Sequence, residues 1–205
     1  MTLDQFRPAV DRVLDPFVDL SERLGLTPDA VSVVAMALAV GAGAAFAFGR
    51  TDPILYLVGA LLVFLNGWLD ILDGALARRL GTASRAGDLL DHVLDRYADI
   101  VMLVGLAAGV ERYAIGLAAV TGVLMTSYLG TQAQAVGLDR VYGGLVGRAD
   151  RLVLIGFAGV AASVVTGSYY GLTVVGWLLV FFAVVGHVTA LQRFYYSMRA
   201  LRSGE

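Results

Sequence analysis

Long apolar stretches dominate this chain, and short polar breaks divide them. A membrane-spanning helix needs about 20 mostly apolar residues. Six stretches meet that requirement, at residues 29–49, 53–79, 87–110, 112–136, 149–167 and 171–197. Ahead of them, residues 4–24 are mixed. Phe6, Val10, Val13, Leu14, Phe17, Val18 and Leu20 recur among Asp4, Arg7, Asp11, Arg12, Asp15 and Asp19. That spacing predicts an amphipathic helix lying in the membrane interface, with a soluble docking helix as the alternative. Thr27-Pro28-Asp29 predicts a helix start, with Thr27 as N-cap and Pro28 in the first position. The expected fold is therefore all-α. A polytopic bundle of six transmembrane helices (29–197) follows an interfacial helix (4–24), all in one membrane domain over residues 1–205. No repeat of 20–50 residues interrupts that reading.

Composition reinforces the membrane assignment. Only 16% of the 205 residues are charged, against about 25% in an ordinary soluble domain. The absence of cysteine excludes disulfides and thiolate metal sites. An amphipathic, acid-bearing beginning argues against a cleavable signal. A formal net charge of -2 gives no reason to expect a nucleic-acid partner. All fifteen basic residues are arginine, and their placement is uneven. Arg7, Arg12 and Arg23 precede the first span; Arg78, Arg79 and Arg85 surround the second connection. Arg140 and Arg148 lie in the fourth connection, and Arg193, Arg199 and Arg202 near the C-terminus. Only Arg50 and Arg112 fall on the other side. The positive-inside rule then places both termini and the 78–87 loop in the cytoplasm.

Acids inside two of these apolar stretches carry the chemistry. Asp70, Asp73, Gly74, Ala77 and Arg78 share one face of a helix, and Gly87, Asp91 and Asp95 share one face of the next. Counted from the loop between the two helices, Asp73 and Asp91 lie about 6–8 Å down, and Asp70 and Asp95 about 12 Å. The four carboxylates pair by depth. An ionised Asp in hydrocarbon is costly, so such a cluster is a functional-site hypothesis by default. Oxygen ligands without His or Cys favour Mg²⁺ or Mn²⁺, ions that also bind substrate phosphate. Gly74 and Gly87 leave room for a ligand where the faces are expected to meet, and Arg78 at the rim suits a diphosphate. The bland alternative is a set of helix-end acids paired with Arg78, Arg79, Arg85 and Arg96.

The run Asp70-x2-Asp73-Gly74-x2-Ala77-Arg78-x8-Gly87-x3-Asp91-x3-Asp95 resembles the complete signature of the CDP-alcohol phosphotransferase family. The six-span layout with a leading interfacial helix resembles that family as well. The resemblance implies an integral membrane phospholipid synthase. Such enzymes move a substituted phosphate from a CDP-linked lipid to an alcohol and release CMP. It implies two divalent ions held by Asp70, Asp73, Asp91 and Asp95, with Asp95 as the general base. CDP-donor binding would fall to Asp70, Asp73, Gly74, Ala77, Arg78 and Gly87, and a homodimer is expected. The all-arginine, Ala-, Val- and Gly-rich composition fits an archaeal coding bias, for which the donor would be CDP-archaeol rather than CDP-diacylglycerol.

The acceptor is read from a second region. Ser127-Tyr128-x2-Thr131-Gln132-Ala133-Gln134 and Gly147-Arg148-Ala149-Asp150-Arg151 resemble the regions of family members that use phosphorylated alcohols. By that resemblance Arg148 and Arg151, with Ser127, receive the acceptor's phosphate; positive-inside anchoring is their alternative role. Gly130 and Gln132 stand where basic residues are expected for inositol phosphate, which makes glycerol phosphate the leading acceptor and inositol phosphate the alternative. Asp99 continues the acidic stripe one turn deeper. His92 lies off that stripe, Asn66 stands one turn above Asp70, and His187 is placed to bond across helices. Tyr169, Tyr170, Tyr195 and Tyr196 read as interfacial aromatics. The rival from another class is a divalent-cation transporter. That reading would call for inverted repeats and midplane acids, and the chain shows neither.

Overall fold

The computed structural model describes residues 7–138 and 146–204, which form seven helices and no sheet. They are α1 (Arg7–Arg23), α2 (Pro28–Phe48), α3 (Ile54–Leu80), α4 (Arg85–Gly109), α5 (Tyr113–Ala135), α6 (Arg148–Val164) and α7 (Val174–Gly204). Residues 4–6 of the expected interfacial helix, and Arg140, lie outside the described residues. Helix starts follow local chemistry. The Thr27 hydroxyl accepts from the Ala30 amide at 3.2 Å with Pro28 behind it, and Ser84 caps α4 through the Gly87 amide at 3.1 Å. α3 ends where Gly81 takes a left-handed φ of 64°, as a C-terminal glycine can. α7 starts three residues later than expected, after a turn closed by Tyr169 and Leu172. It then runs seven residues further, because nothing interrupts its C-terminal end before Gly204.

Four helices (α2, α3, α5 and α7) are long and apolar enough to cross a membrane. α4 carries Asp88, Asp91, Asp95, Arg96 and Asp99, and α6 has only 17 residues. Those two contribute the buried pair Asp99 and Arg151.

The helices pack as a closed ring in the order α2, α3, α6, α7, α5, α4 and back to α2, with α4 also touching α7. α3 and α4 are consecutive in sequence but are not close-packed neighbours, because α2 packs against both. Their acid-bearing faces still converge on one cleft, beside α2. The α2–α4 seam is built from small residues. A Cβ on Gly105 would lie 2.1 Å from the Gly43 carbonyl oxygen, and one on Gly109 would lie 2.2 Å from that of Phe46. The Gly105-x3-Gly109 pattern is therefore used inside this chain rather than left for a second copy. Gly105→Ala is expected to cost about 1–3 kcal/mol through overpacking, read as a lower unfolding temperature in detergent. Gly74→Ala is the control, since its Cβ would meet only the Arg78 guanidinium, at 3.4 Å. Equal unfolding temperatures for the two variants would refute the close seam.

α1 explains its own mixed pattern. Leu14, Val18 and Ser21 are buried, and the first two pack with Val31, Leu72 and Leu76. Val13, Phe17, Leu20 and Leu24 form a parallel exposed apolar stripe. The third face carries Asp15 and Asp19, which pair with Arg79 at 3.5 and 3.0 Å. One stripe docks on the bundle and the other is exposed.

Candidate metal and active site

Four helices bring their side chains to one cleft: Ser32 from α2, Asn66, Asp70 and Asp73 from α3, Asp91 and Asp95 from α4, and Arg148 from α6. The apolar core begins one turn away, at Ala39 on α2 and Met102 on α4, and it fixes the two helices that flank the cleft. Carboxylate oxygens of Asp70, Asp91 and Asp95 lie within 4.8 Å of one another. The fourth acid of the stripe is held differently. Asp73 is buried, and its Oδ2 accepts the Ser32 hydroxyl at 2.6 Å while that hydroxyl also reaches the Pro28 carbonyl at 3.1 Å.

Arg148 bridges two of the clustered acids. Its Nη1 donates to Asp70 Oδ2, and its Nη2 lies 2.6 Å from Asp95 Oδ1. One turn further along α6, Arg151 is only 5% exposed and donates to Asp99 Oδ2 at 2.7 Å. Arg96 stands between the layers, 3.7 Å from Asp95 and 3.6 Å from Asp99. Positive-inside anchoring therefore does not describe Arg148 and Arg151, because both turn inward and meet buried acids.

The other expected residues are more dispersed. Gly74, Ala77 and Gly87 are half-buried at the outer rim beside the exposed Arg78. A Cβ on Gly87 would meet only the Ser84 hydroxyl at 3.4 Å and an Asp29 oxygen at 3.8 Å. Neither rim glycine is consumed by helix packing, in contrast to Gly105 and Gly109. Ser127 is half-buried on α5 and is not part of the cleft lining. Beside it, the Thr126 carbonyl accepts from Arg193 at 2.6 Å. His92 turns to the Asp88 carbonyl at 2.7 Å, and His187 reaches Thr121 across the α5–α7 seam at 3.4 Å. Tyr169, Tyr170, Tyr195 and Tyr196 are all exposed.

Ser32 escaped the sequence reading. Ser32 offered a faint signal, a hydroxyl one turn into an otherwise apolar helix. Arg96, expected as a partner for such acids, is shared between Asp95 and Asp99.

The cleft's donors suit a hard divalent cation. All three converging groups are carboxylates, none is His or Cys, and their oxygens are close enough to share an ion. The buried Asn66 Oδ1 lines the same cleft with no hydrogen-bond partner, while its amide is fixed to the Ala35 carbonyl at 2.9 Å. A buried acceptor left over in such a place fits a site built to take a further donor or a bound water.

Residues 25–186 match the family model for CDP-alcohol phosphatidyltransferase. The chain belongs to that family. As a CDP-alcohol phosphatidyltransferase it is a multi-pass membrane enzyme of phospholipid synthesis and binds metal. That excludes the transporter reading. Among characterised relatives, archaetidylinositol phosphate synthase of Methanothermobacter thermautotrophicus is 31% identical over 98% of this chain and 96% of its own length. The crystal structure of Mycobacterium tuberculosis phosphatidylinositol phosphate synthase with CDP-DAG bound superposes with a TM-score of 0.78 at 26% identity. It covers 91% of this chain and 94% of that one. The same mycobacterial enzyme in complex with manganese and citrate gives a TM-score of 0.78 at 25% identity, covering 90% and 88%. The phosphatidyltransferase fold thus extends over nearly the whole chain.

Proposed function

We propose that this enzyme transfers the lipid phosphate group of a CDP-linked lipid to the hydroxyl of inositol phosphate and releases CMP. One observation carries the choice of acceptor. The archaeal relative and the mycobacterial one are named for different lipids but for the same inositol phosphate product. Glycerol phosphate, favoured by Gly130 and Gln132, has no comparable support. Gly130 is buried within α5. Between the two donors, likeness to the archaeal synthase favours CDP-archaeol.

In this reading Asp70, Asp91 and Asp95 hold divalent Mg²⁺ or Mn²⁺, with Asp73 completing a two-ion set. The ions would neutralise charge on the diphosphate and on the attacking and leaving oxygens. Ser32 orients Asp73 by its 2.6 Å hydrogen bond. Gly74, Ala77 and Gly87 leave space at the rim for the cytidine, and Arg78 reaches a donor phosphate. Asp95 takes the proton from the acceptor hydroxyl as that oxygen attacks phosphorus and the bond to CMP breaks. Arg148 and Arg151 supply positive charge for the acceptor's own phosphate, with Ser127 of α5 as a further contact. The whole chain forms one domain. All six helices from α2 to α7 cross the bilayer, α1 lies in the interface, and the cleft and both termini face the cytoplasm. The enzyme works as a homodimer.

The test is CMP release by the purified protein with Mn²⁺ or Mg²⁺ and a CDP-lipid, each acceptor offered in parallel. Inositol phosphate is expected to support a rate at least about tenfold above glycerol phosphate, inositol or serine, a factor worth about 1.4 kcal/mol of transition-state discrimination. Equal or faster release with glycerol phosphate would overturn the acceptor assignment.

A further inference from the structure

Arg148 is the first residue of α6, and its guanidinium lies between the two acids on opposite sides of the cleft, Asp70 of α3 and Asp95 of α4. Those are two of the three carboxylates whose oxygens converge within 4.8 Å. The Arg side chain and a divalent cation therefore draw on the same negative charge, and like charges disfavour holding both there. In this pose both Nη groups have partners, while Nε, like those of Arg96 and Arg151, is buried with no hydrogen bond. The unfilled Nε edge of the fork is one that a phosphate can accept bidentately. Position matters too. Arg148 stands at the very start of its helix, so its side chain can leave the acids without unwinding a turn. Arg151, one turn in, is fixed to the buried Asp99 at 2.7 Å.

We infer that Arg148 is a resident counter-cation, which neutralises Asp70 and Asp95 in the metal-free enzyme and is released to an anionic phosphate when divalent cations bind. Its role is positioning: it keeps the acids apart from one another's repulsion, then links occupancy of the metal site to occupancy of the acceptor site. The hand-over to a phosphate rests on the proposed acceptor, whereas the competition with metal does not. Linkage then requires reciprocity: metal favours phosphate binding by the same factor by which phosphate favours metal binding.

The experiment measures Mn²⁺ affinity by electron paramagnetic resonance on the full chain in detergent, with and without inorganic phosphate, for wild type, Arg148→Gln and Arg148→Lys. Without phosphate, Arg148→Gln is expected to bind Mn²⁺ at least about tenfold more tightly than wild type, because the competitor is gone. Phosphate is expected to tighten Mn²⁺ binding in wild type by about fivefold or more, the lower end of ordinary coupling factors. In Arg148→Gln that dependence should disappear. Should the Gln variant not fold, Arg148→Lys serves instead: one ammonium cannot bridge both acids, so Mn²⁺ affinity should still rise at least about threefold. Unchanged or weaker Mn²⁺ binding in a folded variant overturns the competition. Phosphate coupling that survives in Arg148→Gln overturns the hand-over. Failure of the acceptor reading alone would appear in the CMP-release assay and leave the metal affinities as predicted.

Discussion

Replacing Asp95 by Asn is expected to lower CMP release by about a thousandfold, within the usual range for loss of a general base. Asn keeps the size of the side chain and one oxygen for a cation, but it cannot accept the proton of the acceptor hydroxyl. Asp95 sits where that role is feasible. It belongs to the group of three carboxylates and approaches Arg148 at 2.6 Å and Arg96 at 3.7 Å, so several charges fix its orientation. The informative comparison is Asp91→Asn, a change in the same cluster without the proposed proton transfer. Raising Mn²⁺ should restore much of the activity of Asp91→Asn and little of that of Asp95→Asn. Recovery of Asp95→Asn to within tenfold of wild type at high Mn²⁺ would reduce that residue to a metal ligand.

The second large effect is on stability. Asp99→Asn should destabilise the fold by about 3–5 kcal/mol, the usual result of removing one member of a buried ion pair. Asp99 is 2% exposed; it accepts from Arg151 at 2.7 Å and lies 3.6 Å from Arg96. Its loss leaves the buried Arg151 guanidinium, and the half-buried one of Arg96, short of a counter-charge. Arg151→Gln should be milder, because Arg96 remains beside the acid. Thermal unfolding in detergent, followed by circular dichroism, ranks the two variants. A more stable Asp99→Asn than Arg151→Gln would contradict this account of the network.

The signal in the sequence was strongest where hydrophobic period and local chemistry agreed. Thr27-Pro28 gave the start of α2 because capping and proline placement are local, and the long apolar runs gave the helices to within a few residues. The acids were legible for the same reason: charge within an apolar run needs a cause, and helical spacing set their faces. Partner choice between helices was not legible. Nothing local says that α2 packs against both α3 and α4. Nor does spacing say that Asp73 turns to Ser32, 41 residues earlier, or that Arg148, 78 residues after Asp70, enters the acidic cleft. Such contacts depend on tertiary packing. The preference for glycerol phosphate rested on Gly130 and Gln132 of α5, and the relatives favour its alternative, inositol phosphate.

The pairing of Phe17 with Trp68, ring centroids 5.2 Å apart and nearly perpendicular, has a practical use in spectroscopy. The chain has only two tryptophans. Trp68 stands two residues before Asp70 and packs with the α1–α3 cluster, while Trp177, half-exposed, donates its indole N–H to the Tyr169 carbonyl at 3.0 Å. α6 runs about 25 Å from the Arg148 end of the bundle to the end that holds Trp177, so the two indoles sample different environments. A Trp177→Phe protein would carry a single tryptophan, at the seam between the amphipathic helix and the acid-bearing one. Its emission could then follow cation or nucleotide binding without any attached dye.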